Sequence, residues 1–302
     1  MVMSSVLLKG RTSAIFDQVT KWSLYLLFFL TPIFFLPWTS NILDINKQML
    51  LVVLTVIGLV AWLGQMVLSK QFAFRSGWLN LVPGLFIVSV LASSILSVSG
   101  YQTWVGQASQ EYVSFLSTIM FVILFYLFMN TAGKTILQRN ALFALLLSAA
   151  LTGLVTFFGM FNLFHLPFDF AASTGFNTIG TLNGFVVFMT TVMFVGLAMW
   201  LVSQNGRDRV IPEGSVGALM RVLVLVVTII NLVTLIAVDY WVFWVINIVG
   251  VLLLASFGFI QDHEFPNPKK FDPTRYLTTD SKKQKMFKEV LTPFGGLIIF
   301  FS

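Results

Sequence analysis

The chain contains no cysteine. That excludes a disulfide framework, a thiol nucleophile and a cysteine-ligated metal. Charge is also scarce. Asp, Glu, Lys and Arg make up 10% of 302 residues, against about 25% in soluble domains. The two histidines, His165 and His263, fall on opposite sides of the membrane that the sequence lays out, so they cannot share a site. No phosphate-binding glycine loop, metal-binding cluster or Ser/His/Asp set is present. No metal and no cofactor is therefore expected.

Hydrocarbon fills the chain instead, with 57% hydrophobic residues and a mean hydropathy of +0.90. A soluble helix needs a polar outer face, and most apolar runs here have none. The expected fold class is all-α, a polytopic transmembrane helical bundle forming a single membrane domain. Eight complete spans are predicted at 22–38, 48–69, 78–98, 113–130, 141–163, 184–203, 217–238 and 241–260. A ninth begins near Pro293 and stops at Ser302. Each complete span has roughly the 17–25 residues that cross a hydrocarbon core. Pro32 and Pro37 are expected to kink span one.

Cationic side chains are distributed unevenly over the connections. Lys and Arg fall in the N-terminus, 70–77, 131–140, 204–216 and 261–292, with Arg221 just inside span seven. The alternate connections, 39–47, 99–112, 164–183 and the turn at Asp239, hold Lys47 alone. They also hold Asp44, Glu111, Asp169 and Asp239. The positive-inside rule then predicts a cytoplasmic N-terminus and an even number of crossings before 261–292. The formal net charge of +6 is thus an orientation signal, and no nucleic-acid partner is expected. Trp22, Trp38, Trp78, Trp200 and Trp241 fall at the ends of the predicted spans, as interfacial rings do.

Residues 1–21 lack a small-residue cleavage site, and 12–20 read as a short interfacial helix. The 261–292 segment reads as a cytoplasmic connector. Asp280-Ser281 caps a short helix there that carries Lys282, Lys283, Lys285 and Lys288 on the inner leaflet. A regulatory or partner-binding segment would have the same pattern.

The connections opposite the lysines carry most of the polar and aromatic side chains suited to a ligand. Segment 164–183 reads FHLPFDFAASTGFNTIGTLN, with His165, Asp169, Asn177 and Asn183. Aromatic faces there can stack on sugar rings while the polar groups bond their hydroxyls. An interfacial re-entry loop, with Asn183 capping span six, accounts for the same composition. Tyr101, Trp104 and Glu111 in 99–112 read as one wall of a cleft or as an aromatic belt beside a solvated acid. Asn231 and Asn247 stand eight residues either side of Asp239, just over two helical turns. They suit hydrogen bonding between helices, with a substrate-facing role as the alternative. Ser89, Ser93, Ser94 and Ser97, and then Ala149, Ala150, Thr152 and Gly153, suit close helix packing.

Four stretches resemble the O-antigen ligase and polymerase-like family of bacterial membrane glycosyltransferases. They are WSLYLLFFLTPIFFLPWTSNILDINKQMLLVVLTVIGLVAWL (22–63), SVSGYQTWVG (97–106), FNTIGTLNGFVVFM (176–189) and DYWVFWVINIVGVLLL (239–254). The likeness lies in order and spacing. It implies transfer of glycan from an undecaprenyl-pyrophosphate carrier at the outer face of the bacterial inner membrane, with no metal or nucleotide. It also implies a lipid-linked glycan partner and the bilayer itself. Two departures stand against it. Asp239, Tyr240 and Trp241 occupy the place where such proteins put a pyrophosphate-binding Arg. The functional His and Arg of the family's large outer loop are expected beyond Ser302, so the catalytic residues are expected there too. A transporter or lipid flippase and a non-catalytic membrane scaffold are the other readings. A transporter predicts charge at the bilayer midplane or paired broken helices.

Overall fold

The computed structural model describes residues 2–39, 41–70, 74, 80–106, 113–131, 135–164, 166–204, 211–212 and 214–264. Among these the chain is helical, without strands. Glu111, His165, Trp78, the 265–292 part of the basic connector and the predicted ninth span lie outside the described residues.

The described residues form nine α-helices, in order α1 Val2–Ile33, α2 Asp44–Ser69, α3 Leu81–Ile95, α4 Gly100–Trp104, α5 Phe115–Thr131, α6 Thr135–Met160, α7 Leu182–Gln204, α8 Ser215–Val238 and α9 Trp241–Glu264. A single 3₁₀ turn, Asp169–Ala171, sits between α6 and α7. Among the described residues, five helices are long and apolar enough to cross a membrane: α2, α6, α7, α8 and α9. They make this a membrane protein, with the bilayer as its solvent. The shorter α3 and α5 have 15 and 17 residues. At 1.5 Å per residue they extend about 22 and 26 Å, less than a hydrocarbon core of about 30 Å.

The start of the chain differs from expectation. The interfacial helix at 12–20 and span one form one continuous helix of 32 residues. No helix breaker separates them, and Phe16 packs over Gly64 of α2 while Ser23 packs over Gly58. Within this helix Lys21 pairs with Asp17 one turn earlier, and Trp22 lies mid-helix rather than at an end. Pro32 falls in the last turn of α1. Pro37 lies outside the helix, where its missing N–H disrupts no helical bond.

Two helix groups carry the packing. The larger joins α6, α7 and α8 around Leu146, Ala149, Ala150, Phe185, Met189, Val192, Val224, Val227 and Ile230. Small residues let these helices approach. A Cβ added to Gly153 would lie 3.0 Å from both Met189 and Ile230, and one added to Gly196 would lie 2.9 Å from Val224. The Ala149 to Gly153 stripe therefore does pack closely. The serine stripe of α3 does not: Ser94 is buried but Ser89 and Ser93 are exposed. The smaller group seats Leu24 of α1 against Leu127 of α5 and Leu137 of α6. Gly250 of α9 faces the ring of Phe194 of α7.

Candidate functional site

Three consecutive polar residues open α2, and all three are buried: Asn46, Lys47 and Gln48. On a helix they point about 100° apart, so each faces a different neighbour. Asn46 reaches back through Nδ2 to Thr39 Oγ1 (2.7 Å), Ile42 O (2.9 Å) and Asn41 O (3.0 Å), which fixes the α1–α2 connection. Gln48 donates from Nε2 to Ser117 Oγ (2.9 Å), Val105 O (3.0 Å) and Ser114 Oγ (3.2 Å), which ties down the α4–α5 region. Lys47 donates from Nζ to the carbonyl of Thr178, between α6 and α7. The outermost turn of α2 thus fastens three connections at one end of the bundle. The α8–α9 turn lies at that end as well, since Leu235 and Phe243 pack on Val186 near the start of α7.

The α6–α7 segment dips into the bundle. Thr178 donates to the Pro32 carbonyl at 2.8 Å and lies 3.3 Å from Thr152 Oγ1. Thr152 is eight residues before the end of α6, or about 12 Å along the axis. The segment therefore passes well below the end of α6. An Asx turn shapes its deepest part: Asn177 Oδ1 accepts from Ile179 N (3.1 Å) and Gly180 N (2.9 Å). Gly180 has φ +128°, a conformation that side chains resist, and its Cα faces the Asp44 carboxylate. Asp44 is the charged neighbour that acts electrostatically on Lys47. Lys47, expected as an outer cation, is only 3% exposed. Its charge goes to holding backbone.

The other expected contacts separate clearly. Asn177 is buried and spent on its turn. Asn183 does not cap α7. Thr181 does, accepting from Gly184 N at 3.0 Å, and Asn183 lies exposed inside the first turn. A hydroxyl one residue before the helix satisfies the orphan N–H that an Asn two residues later cannot reach. Trp104 stacks edge-on against Phe115 with ring centres 5.0 Å apart, leaving 39% of it exposed, beside the open Tyr101. Asp169 is exposed on its 3₁₀ turn. Around it Phe35, Phe168, Phe170 and Phe176 form a continuous aromatic cluster, with Phe168 and Phe170 stacked 5.3 Å apart. Asp239 is exposed in a left-handed conformation at φ +45° and ends α8. It takes no part in the bonding of the two flanking asparagines. Those close a ring with α7: Thr190 Oγ1 donates to Asn231 Oδ1 (3.1 Å), Asn231 Nδ2 to Asn247 Oδ1 (2.9 Å) and Asn247 Nδ2 to Thr190 Oγ1 (3.1 Å). The ring is buried and serves packing between helices.

Two features of the site were not anticipated. One is the three-way fastening by Asn46, Lys47 and Gln48; its signal was three polar residues placed directly before an apolar run. The other is an open apolar groove of about 450 Å³ along α6, lined by Leu151, Leu154, Val155, Phe158, Leu163 and Phe164. Four of these recur at i, i+3, i+4 and i+7 on one helical face. The remaining two come from the helix end. Leu163 N donates to Phe158 O (2.9 Å) and Asn162 N to Gly159 O (3.1 Å), with Asn162 at φ +54°. This is the Schellman pattern, which turns Leu163 back over Phe158. A small void lined by Ser173, Gly159, Leu166, Ala171 and Phe176 shares Val155 and Phe164 with the groove. No group of three or more metal-ligating side chains occurs among the described residues. Set against known protein families, curated proteins and solved structures, the chain matches none.

Proposed function

We propose that this chain is the membrane part of a bacterial glycosyltransferase resembling O-antigen ligases and polymerases. Its substrate is a glycan carried on a lipid pyrophosphate. In this reading the chain crosses the inner membrane eight times with its N-terminus in the cytoplasm. The shorter α3 and α5 cross where the bilayer thins or the helices lie along its normal. The Asn46–Gln48 end then faces outward.

One observation carries the reading: Asn46, Lys47 and Gln48 hold three polar, aromatic connections together at a single end of the bundle. Transfer chemistry needs groups kept within fractions of an ångström, and a glycan needs open aromatic and polar surface. Trp104, Asn183 and Asp239 are exposed at that end, so they are the glycan contacts in this reading. Glu111 and His165 belong to the same connections in sequence. Lys47 cannot also bind the pyrophosphate, because its ammonium is enclosed and bonded to Thr178. The anion therefore needs other cationic partners.

The test is binding. Protein in nanodiscs is titrated with lipid-pyrophosphate oligosaccharide, with the free oligosaccharide and the carrier phosphate as separate controls. Saturable binding of the lipid-linked glycan is expected, weakened about three- to tenfold in Trp104→Ala, in line with one aromatic contact. Equal affinity for the carrier phosphate alone would remove the glycan from the reading.

A second reading, a transporter or flippase, draws on Lys47 itself, since a buried cation in a membrane helix marks transport pathways in other proteins. Flux of labelled lipid across proteoliposomes that stops in Lys47→Met would favour it.

A further inference from the structure

Arg221 stands inside α8, a helix long and apolar enough to cross the bilayer. Leu235, near the end of α8, packs on Val186 at the start of α7, so the start of α8 lies at the far end of the bundle from Asn46–Gln48. That start is firmly seated. Ile211 is buried in the α6–α7–α8 core, and its carbonyl accepts from Ser203 Oγ at 3.3 Å. Gly217 passes against the Pro212 carbonyl, where an added Cβ would lie 1.8 Å from the oxygen. Arg221 follows Ser215, the first residue of α8, by about 9 Å along the axis. The 24 residues of α8 extend about 36 Å, against a hydrocarbon core of about 30 Å. Centred in the core, the helix holds the Arg221 backbone about 6 Å inside the hydrocarbon edge, in either orientation. An arginine at that depth extends along the helix and delivers its guanidinium to the phosphate level.

The face around it is apolar. Leu225, Ile229, Leu232 and Ile236 follow Arg221 on one side of α8, all exposed, while Val224, Val227 and Ile230 face the core. Thr228, beside this stripe, turns its hydroxyl back to Val224 O at 2.8 Å and so presents its methyl group. From Leu225 to Ile236 the stripe runs about 16 Å, much of the depth of one leaflet. The ion pair among the described residues is Lys21–Asp17, which leaves the described carboxylates away from Arg221.

We propose that Arg221 and this stripe bind one anionic phospholipid of the phosphatidylglycerol type. The guanidinium donates two N–H groups to the phosphate oxygens, and an acyl chain lies along Leu225, Ile229 and Leu232. A zwitterionic head group brings its own ammonium to the same phosphate, which repels the guanidinium, so the net negative lipid is preferred. This inference needs the bilayer but not the transferase reading, and either can fail without the other.

The experiment is native mass spectrometry of the full chain after exchange into nanodiscs of equal phosphatidylglycerol and phosphatidylethanolamine. The wild-type chain is expected to retain the anionic lipid about fivefold over the other, the contribution of one basic residue at a membrane surface. Arg221→Gln should remove that preference, and Arg221→Lys, which keeps the charge but not the two-pronged geometry, should keep it in weakened form. Lys70→Gln removes an exposed cation at the end of α2 and should leave the preference intact. Equal retention of the two lipids by the wild-type chain, a preference that survives in Arg221→Gln, or an equal loss in Lys70→Gln would each overturn the proposal.

Discussion

Lys47 shows how far a single residue can depart from its apparent role. In the sequence it is the one cation on an acidic face, which suggests an anion ligand. In the fold it is a buried donor to a carbonyl far along the chain. Sequence pattern could not reveal its partner, because the bond depends on a segment that dips back into the bundle. Removing it leaves the Thr178 carbonyl buried and unsatisfied, a cost of about 1–3 kcal/mol. Lys47→Met is expected to lower thermal stability in detergent and to speed amide exchange at Ile179 and Gly180, while amides near Asn231 keep their protection. Uniform loss of protection would mean that Lys47 supports the whole bundle and not this segment. The Asn231–Asn247–Thr190 ring makes a second prediction at this scale. Its members sit in buried helix contacts, where such bonds average about 0.6 and reach about 1.7 kcal/mol. A double-mutant cycle of Asn231→Ala and Asn247→Ala should give a coupling energy in that range. The pairing was legible beforehand from two Asn residues at equal distances from a tight turn. The third member, Thr190, was not, since one Thr among many in an apolar helix carries no signal.

Helices were legible in kind, and their ends less so. Long apolar runs became α2, α6, α7, α8 and α9. The start of α1 moved by 20 residues and that of α6 by six, whereas α5 kept its ends within two. Phe16 over Gly64 extends α1 toward its N-terminus, and Thr181 starts α7 where Asn183 had looked suitable. Among the described residues positive φ marks three helix ends outside glycine, Lys70, Asn162 and Asp239. Glycine adopts this conformation freely, whereas a β-branched residue there is strained. Asp239→Gly should therefore preserve stability within about 0.5 kcal/mol, and Asp239→Val should cost about 1–2 kcal/mol. Equal effects of the two changes would show that the Asp239 side chain matters more than its backbone. Gly250 tests the α7–α9 contact. A Cβ there would fall 2.1 Å from the Phe194 ring, so Gly250→Val should cost about 1–3 kcal/mol by overpacking. The paired change Gly250→Val with Phe194→Ala should recover part of that loss in the same melting experiment.

Across the whole molecule, connections spaced widely in sequence meet at one end, and the alternation of charge anticipated which ones. What pattern alone could not supply was the mutual tethering, because hydrogen-bond partners leave no periodic trace. The absence of cysteine makes the topology directly testable. Ser99→Cys lies beside α4 and Ser215→Cys begins α8, both exposed. An impermeant maleimide added to intact cells should label the first and not the second; labelling of Ser215→Cys alone would invert the proposed orientation. The Lys47–Thr178 bond has a further consequence in time. Its partners are 131 residues apart, so a ribosome adding about 5–20 residues per second makes Lys47 roughly 7–26 s before its acceptor. During that interval the ammonium lacks its native acceptor, so the first hairpin cannot complete this tether until the segment between α6 and α7 has been synthesised.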